Sequence, residues 1–268
     1  IMYLKYETLS ASVQNMLEKN QWILNTGNKL TSANEDGHSR AMYSVFGSAQ
    51  LAWDEWLSLD LTARNDWSST LPKQNNSFFY PSASLSWVFS DFMRSIHHRL
   101  PSWITFAKVR LSAAQVGKDP APYNLYNVRK YQFEMGNRKP VTNTIKLNAD
   151  LKPEIKTSYE VGLDMKFLEN RLGFDFTYYY NTTKNQAMLV DASAPWTQQW
   201  VNAGKINNTG VELMLYGSPV RTRDFQFDLT ANFAHNRSTV KELANGVNRV
   251  YFSGDSNMPV KVGAVSGG

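Results

Sequence analysis

The 268-residue sequence contains no cysteine. Disulfide staples and thiolate metal sites are therefore excluded, while an oxidising compartment such as the periplasm stays open. It also lacks any run approaching the roughly 18 uninterrupted apolar residues of a membrane-crossing helix. Blocks of one charge are missing too: 28 Lys and Arg against 23 Asp and Glu leave a thinly spread formal charge of +5. Without a basic patch interleaved with aromatics, no nucleic-acid partner is expected. The start, Ile1-Met2-Tyr3-Leu4-Lys5, has no basic segment leading into an apolar stretch, which is the pattern of an export signal. If the protein is exported, this sequence is expected to be a portion of it. What is abundant is aromatic: 13% of residues, with 8 Trp and 13 Tyr, types that favour strands and membrane–water interfaces.

The informative pattern is alternation with period two, recurring in segments of about ten residues. In Leu57-Ser58-Leu59-Asp60-Leu61-Thr62-Ala63-Arg64 every odd position is apolar and every even one polar or charged. The same alternation runs through Phe225 to Phe233 with the same parity, through Tyr159 to Phe167 with Gly162 among the even positions, and through Phe174 to Tyr178 with the parity reversed. Weaker cases are Tyr43 to Trp53, Ala83 to Phe89, Ala107 to Ala113 and Val211 to Leu215. Successive strand side chains point to opposite faces, so each segment carries one greasy face and one wet face. A soluble antiparallel sheet shows this as well.

The connections discriminate. Asp54-Glu55 and Glu169-Asn170-Arg171 sit in very short turns, and Ser218 to Asp224 is a slightly longer one. The intervening links, roughly 67–79, 116–153 and 184–206, are long and polar. Short turns on one side and long loops on the other are the asymmetry of outer-membrane barrels. Ser90 to Pro101 falls on the short side and is read as a longer periplasmic turn with room for a helical turn. Register predicts the first hairpin. With Trp53 and Leu57 both on the greasy face, they pair only across a three-residue turn, Asp54-Glu55-Trp56. Residues 1–38 lack clean alternation, Ser12 to Leu24 has a loosely helical look, and the segment is assigned mostly to an extracellular loop. Strands with their turns occupy 39–240, and 241–268 is read as the start of a further, truncated loop.

Several stretches then resemble a known family in their order and spacing. They are Phe46-Gly47, Arg64-Asn65-Asp66-Trp67-Ser68-Ser69, Phe79-Tyr80-Pro81-Ser82-Ala83-Ser84-Leu85-Ser86-Trp87 and Val109 to Gly117. Further along come Leu151-Lys152-Pro153-Glu154, Tyr159 to Asp164 with Phe167 to Leu172, Tyr178 to Lys184, and Asn202 to Leu213. Together they are similar to the barrel of SusC-like TonB-dependent transporters, over roughly 40–240. The resemblance implies an all-β, antiparallel up-and-down transmembrane barrel, of which about eight strands are visible here. Plugged transporters of this kind have about 22. It further implies an N-terminal plug that meets TonB, a SusD-like surface lipoprotein as lid, and import of an oligosaccharide or a peptide across the bacterial outer membrane. Neither the plug nor the terminal strand is recognisable in this sequence. No enzyme activity and no cofactor are expected.

Candidate residues carry two readings each. Asp60, Arg64, Glu160, Asp164, Asp175, Glu212 and Asp228 lie on polar strand faces and are read as lumen-facing rather than as paired catalytic carboxylates. His97-His98 beside Asp91 lacks metal-ligand spacing and is read as a solvated turn. Trp53, Trp67, Trp87 and Trp103 near strand ends suit an interfacial belt. Trp196 and Trp200, with Tyr123 and Tyr126, fall in the long loops. Exposed rings there either stack on substrate or pack against another loop or the lid. The alternative to a transporter is a soluble or surface all-β carbohydrate-binding module, which would bury its apolar faces between two sheets.

Overall fold

A computed structural model describes residues 1–16, 27–98, 100–126, 130–134, 137–141, 144–243, 249–252 and 262–265. In chain order the strands begin with β1 (Met2–Met16), β2 (Gly27–Trp53), β3 (Leu57–Ser68) and β4 (Ser77–Val88). The helix α1 (Phe89–Ser95) precedes β5 (Ile104–Lys118), β6 (Lys130–Glu134), β7 (Asn137–Val141) and β8 (Ile145–Lys146). Then come β9 (Glu154–Phe167), β10 (Leu172–Lys184), β11 (Ala187–Asp191) and β12 (Gln198–Asn202). Last are β13 (Lys205–Arg221), β14 (Gln226–Glu242), β15 (Arg249–Phe252) and β16 (Val262–Val265). Nine of them form one sheet in the order β1-β2-β3-β4-β5-β9-β10-β13-β14, each antiparallel to its neighbour. The pairs β6–β7 and β11–β12, with β8 parallel to β12, are built inside the long links. The sheet is an up-and-down meander whose edges, β1 and β14, do not meet.

Register sorts every side chain to a face, because directly opposed residues share one. Leu51, Leu59 and Leu85 stand abreast, as do Leu111, Val161 and Tyr178. Leu163, Phe176, Leu213 and Phe233 continue the same face. That face is bare: Leu51, Leu61, Val161, Leu215 and Phe233 are all exposed. A soluble sandwich would cover it with a second sheet, and none lies there among the described residues. Aromatic rows bound it. Trp53, Trp87 and Phe167 mark the short-turn end, and Tyr43, Trp67, Phe79 and Tyr159 the other. Trp53 and Tyr43 are ten residues apart, about 33 Å along a strand and about 25 Å across a bilayer at a tilt of about 40°. That is the height of a lipid-facing barrel band.

The first hairpin closes as the register requires: Trp53 pairs with Leu57 across Asp54-Glu55-Trp56, with Asp54 at positive φ. The helical turn expected after Phe89 is α1. Other expectations need correction. Residues 1–38 are not a plain loop, since Met2–Met16 pairs with the outer part of β2, Met2 lying opposite Met42 and Met16 opposite Gly27. Ser12 to Met16 is therefore strand rather than helix, and 17–24 lies outside the described residues. This ninth strand escaped detection because it pairs with β2 beyond the Tyr43 row, outside the bilayer band that enforces alternation. The link Ser218 to Asp224 is shorter than read. The strand continues to Arg221 through a bulge between Gly217 and Val220, and the turn is Thr222 to Phe225, closed by the Thr222 N–H on the Phe225 carbonyl at 2.8 Å. The 67–79 link shrinks to Ser69 to Asn76, because β3 and β4 both run past the aromatic row. Within 241–268 the chain forms the β15–β16 hairpin, and the rest of that segment beyond Leu243 is outside the described residues.

Candidate functional site

The polar face is built by strand register. Asp60 stands between Gln50 and Ser84, Glu160 between Ser112 and Tyr179, and Glu212 between Thr177 and Ala234. Asp164 and Asp175 are direct cross-strand partners. Arg64 and Asp228 lie on the same face. The seven polar positions expected from alternation thus share one side of the sheet.

Two opposed carboxylates repel unless a cation intervenes. Arg110 supplies it, with Nη2 and Nη1 on the two Asp175 carboxylate oxygens at 2.6 and 2.9 Å. Its guanidinium reaches from β5 to β10 by lying over Gly162 of β9, where an added Cβ would come within 2.9 Å of the Arg110 nitrogens. Nearer the long loops, Arg64 Nε donates to Asp66 at 2.7 Å and its Nη2 to the Ser44 hydroxyl at 3.0 Å, while the Tyr80 hydroxyl also donates to Asp66. The same face holds a tight approach at Gly210, which lies beneath the Tyr179 ring. A Cβ there would meet that ring at 2.4 Å and the His235 backbone oxygen at 2.7 Å. The ring is free to swing but the carbonyl is not. Gly210→Ala should therefore cost about 1–3 kcal/mol by overpacking. A lowered unfolding temperature of the heat-modifiable barrel band checks this, and an unchanged temperature would show that the β13–β14 ladder yields freely.

Above the aromatic row the long links are tied to the wall and to each other as a crown. β2 outruns β3, and its unpaired edge is capped by loop groups. The Ser69 N–H bonds the Ala41 carbonyl at 3.0 Å, the Ala41 N–H bonds the Ser69 hydroxyl at 2.9 Å, and the Ser39 N–H bonds the Tyr123 hydroxyl at 3.1 Å. Hydrogen bonds from the Ser39 hydroxyl and backbone hold the Tyr123 phenol below its ordinary pKa. Asp119, buried, accepts from Arg40 Nη2 at 2.6 Å, from the Thr70 hydroxyl at 2.8 Å and from the Ser68 hydroxyl. Met42, Leu71, Phe78 and Leu151 pack together beside this carboxylate network, with Leu151 fully buried. Asn202 then joins the two longest links. Its amide accepts the Lys152 N–H at 2.7 Å and donates to the Lys152 carbonyl at 2.8 Å, as a paired strand would. The Thr197 N–H donates to the Thr144 carbonyl at 2.8 Å.

Of the four aromatic candidates, Tyr123 and Tyr126 are exposed, the first docked on Ser39. Trp196 and Trp200 are half-buried rather than fully water-facing. Trp200 lies opposite Leu189 in the β11–β12 pair, and Trp196 ends a turn from Ser193. Sequence reading missed Arg40, Ser68, Thr70, Asp119, Leu151 and Asn202. Ser68, Leu151 and Asn202 fall in stretches that carry the family resemblance, but nothing local marks the contacts, because Asp119 and Lys152 lie far along the chain from the groups they meet. Among the described residues no group of three or more His, Cys, Asp or Glu is placed to hold a metal.

Over residues 6–258 the sequence matches the model of the TonB dependent receptor-like β-barrel family. The chain belongs to that family. It is 27% identical over 215 residues to TonB-dependent receptor P3 of Formosa agariphila, covering 76% of this chain and 21% of that protein. It is 26% identical over 224 residues to TonB-dependent receptor SusC of Bacteroides thetaiotaomicron, covering 79% of this chain and 22% of SusC. The chain thus spans about a fifth of the length of these relatives. Its fold superposes on the RagAB peptide importer in the closed-closed state with a TM-score of 0.80 at 23% identity, over 98% of this chain and 29% of that one. The SusC-like resemblance and the all-β barrel fold both hold, and the bare apolar face is that of an outer-membrane protein of this family.

Proposed function

We infer that this TonB-dependent receptor chain forms wall and outer loops of an importer that takes a nutrient across the outer membrane. The observation that carries the reading is the two-sided sheet: a bare apolar face about one bilayer tall, backed by a polar face crossed by the Arg110–Asp175 pair. Lipid covers the first face, and the second, with Asp60, Arg64, Glu160, Asp164, Asp175, Glu212 and Asp228, lines the lumen. The wall breaks no bond and needs no cofactor. Energy comes from TonB acting on a plug domain, and the long-loop crown meets a SusD-like lipoprotein lid, as for SusC-type relatives. The substrate class is an oligosaccharide, held by aromatic loop residues. The fold likeness to a peptide importer supports a peptide as the second reading.

Specificity then resides in the crown. Trp196→Ala with Trp200→Ala should weaken substrate binding by about 0.5–2 kcal/mol, severalfold to tens-fold in affinity. Barrel assembly should persist, because loops tolerate change better than strands. Ligand affinity of the full-length, lid-bound protein, measured beside growth on the limiting nutrient, checks this. Wild-type affinity and growth in the double variant would assign both rings to loop packing.

A further inference from the structure

The β4–β5 link is the one long connection at the short-turn end of the nine-stranded sheet, and it carries α1. Phe89, Phe92, Met93 and Ile96 fall at i, i+3, i+4 and i+7, one stripe of a helix, while Asp91, Arg94 and Ser95 fall elsewhere. A helix of 7 residues is too short to stand alone, so its stripe must be held. The Trp87 ring holds part of it edge-on, 5.2 Å from Phe89 and 5.8 Å from Phe92, and Trp56 lies 4.8 Å from Phe92. Trp87 belongs to the outer apolar face, abreast of Leu57 and Val109. The stripe therefore continues that face around the rim. Its far end is uncovered: Ile96 is 45% exposed, and Trp103, stacked on Phe167 at 5.7 Å, is 53% exposed.

The helix stops in a second telling feature. The His97 N–H bonds the Arg94 carbonyl at 3.1 Å and the His98 N–H bonds the Met93 carbonyl at 3.0 Å, the paired closure of a Schellman cap. His97 occupies the left-handed position, φ 59, where glycine is favoured and a side chain costs about 1–2 kcal/mol. An imidazole sits there nonetheless, exposed, next to exposed His98 and one turn from exposed Arg94, whose Nη2 pairs with the Asp91 carboxylate at 2.5 Å and has further N–H groups to offer. Nitrogen donors thus stand directly beside an uncovered apolar stripe. That juxtaposition matches the boundary of a bilayer, where phosphates lie just above acyl chains.

We propose that α1 and the His97–His98 turn lie in the headgroup layer of the leaflet at the short-turn end. Phe89, Phe92 and Ile96 meet acyl chains there, and Arg94, His97 and His98 bind phospholipid phosphate. This rests on the reading that the outer apolar face meets lipid. The segment is then a lateral anchor of the wall instead of a turn in periplasmic water.

The test uses full-length protein in vesicles of phosphatidylcholine and phosphatidylglycerol in equal parts, spin-labelled at Ile96, Arg94 or Leu61. Collisions with oxygen and with a water-soluble nickel chelate are then compared. Labels at Ile96 and Leu61 should both favour oxygen severalfold, and the label at Arg94 should favour nickel. Nickel preference at Ile96 with oxygen preference at Leu61 overturns the anchor alone, whereas nickel preference at both overturns the lipid-facing reading. The phosphate contact is read by native mass spectrometry of phosphatidylglycerol retained by Arg94→Gln/His97→Gly/His98→Gln. Glycine suits the cap, so this variant removes donors without removing the turn. Retention should fall severalfold, and unchanged retention would overturn the headgroup assignment.

Discussion

Leu61→Arg should reduce assembled barrel in outer-membrane fractions more than any other single change on β3. Leu61 is four residues from Leu57 and six from Trp67, close to the middle of the apolar band. It lies abreast of Ala49 and Ala83 and is 39% exposed, with no protein layer to shelter a charge. A guanidinium at the bilayer midplane costs about 2–4 kcal/mol, falling towards zero near the interfaces. Its neighbour Thr62 points to the opposite face, where its hydroxyl bonds Ser82 at 2.6 Å. Thr62→Arg should cost only about 1 kcal/mol, chiefly that hydrogen bond. The heat-modifiable band of the full-length protein reports both. A larger loss at Thr62 would mean that the faces are assigned the wrong way round, and equal losses would mean that lipid does not distinguish them.

The second large effect is expected outside the membrane. Asp119→Ala removes the carboxylate that gathers Arg40, Ser68 and Thr70, leaving a partly buried guanidinium and two buried hydroxyls without their acceptor. Breaking a buried ion pair by deleting one partner costs about 3–5 kcal/mol. The Arg40 side chain keeps 26% exposure, so about 2–4 kcal/mol is the expected figure. The loss falls on the crown, not on the ladders below it. Barrel assembly should therefore stay near wild type, while the 116–153 segment becomes protease-sensitive and uptake falls at least tenfold. Asp119→Asn, which keeps one acceptor oxygen, should be intermediate. Unchanged protease resistance of Asp119→Ala would show that the apolar cluster around Leu151 holds the crown by itself.

The wall was legible in the sequence because a bilayer imposes a two-residue period on every strand that crosses it. Leu57 to Arg64 and Tyr159 to Phe167 could be assigned to faces residue by residue, and the Trp53–Leu57 pairing followed from parity alone. Where the membrane stops, that constraint stops. Met2–Met16 pairs with β2 along nearly its whole length, yet its sequence reads as loop. The crown was illegible for a different reason. Arg40 and Asp119 are 79 residues apart, and Asn202 and Lys152 are 50 apart, so neither end of either contact carries a local pattern.

The central claim is that one face of this sheet meets lipid and the other a filled lumen. A cryo-electron-microscopy map of the full-length protein in a lipid nanodisc tests it most directly. The predicted result is a closed barrel containing these nine strands in the observed order. The disc should encircle it from the Trp53–Trp87–Phe167 row to the Tyr43–Trp67–Tyr159 row, with Asp60, Arg110 and Asp175 turned inward. A second protein layer packed over Leu61, Leu163 and Phe176, with those side chains away from the disc, would contradict it.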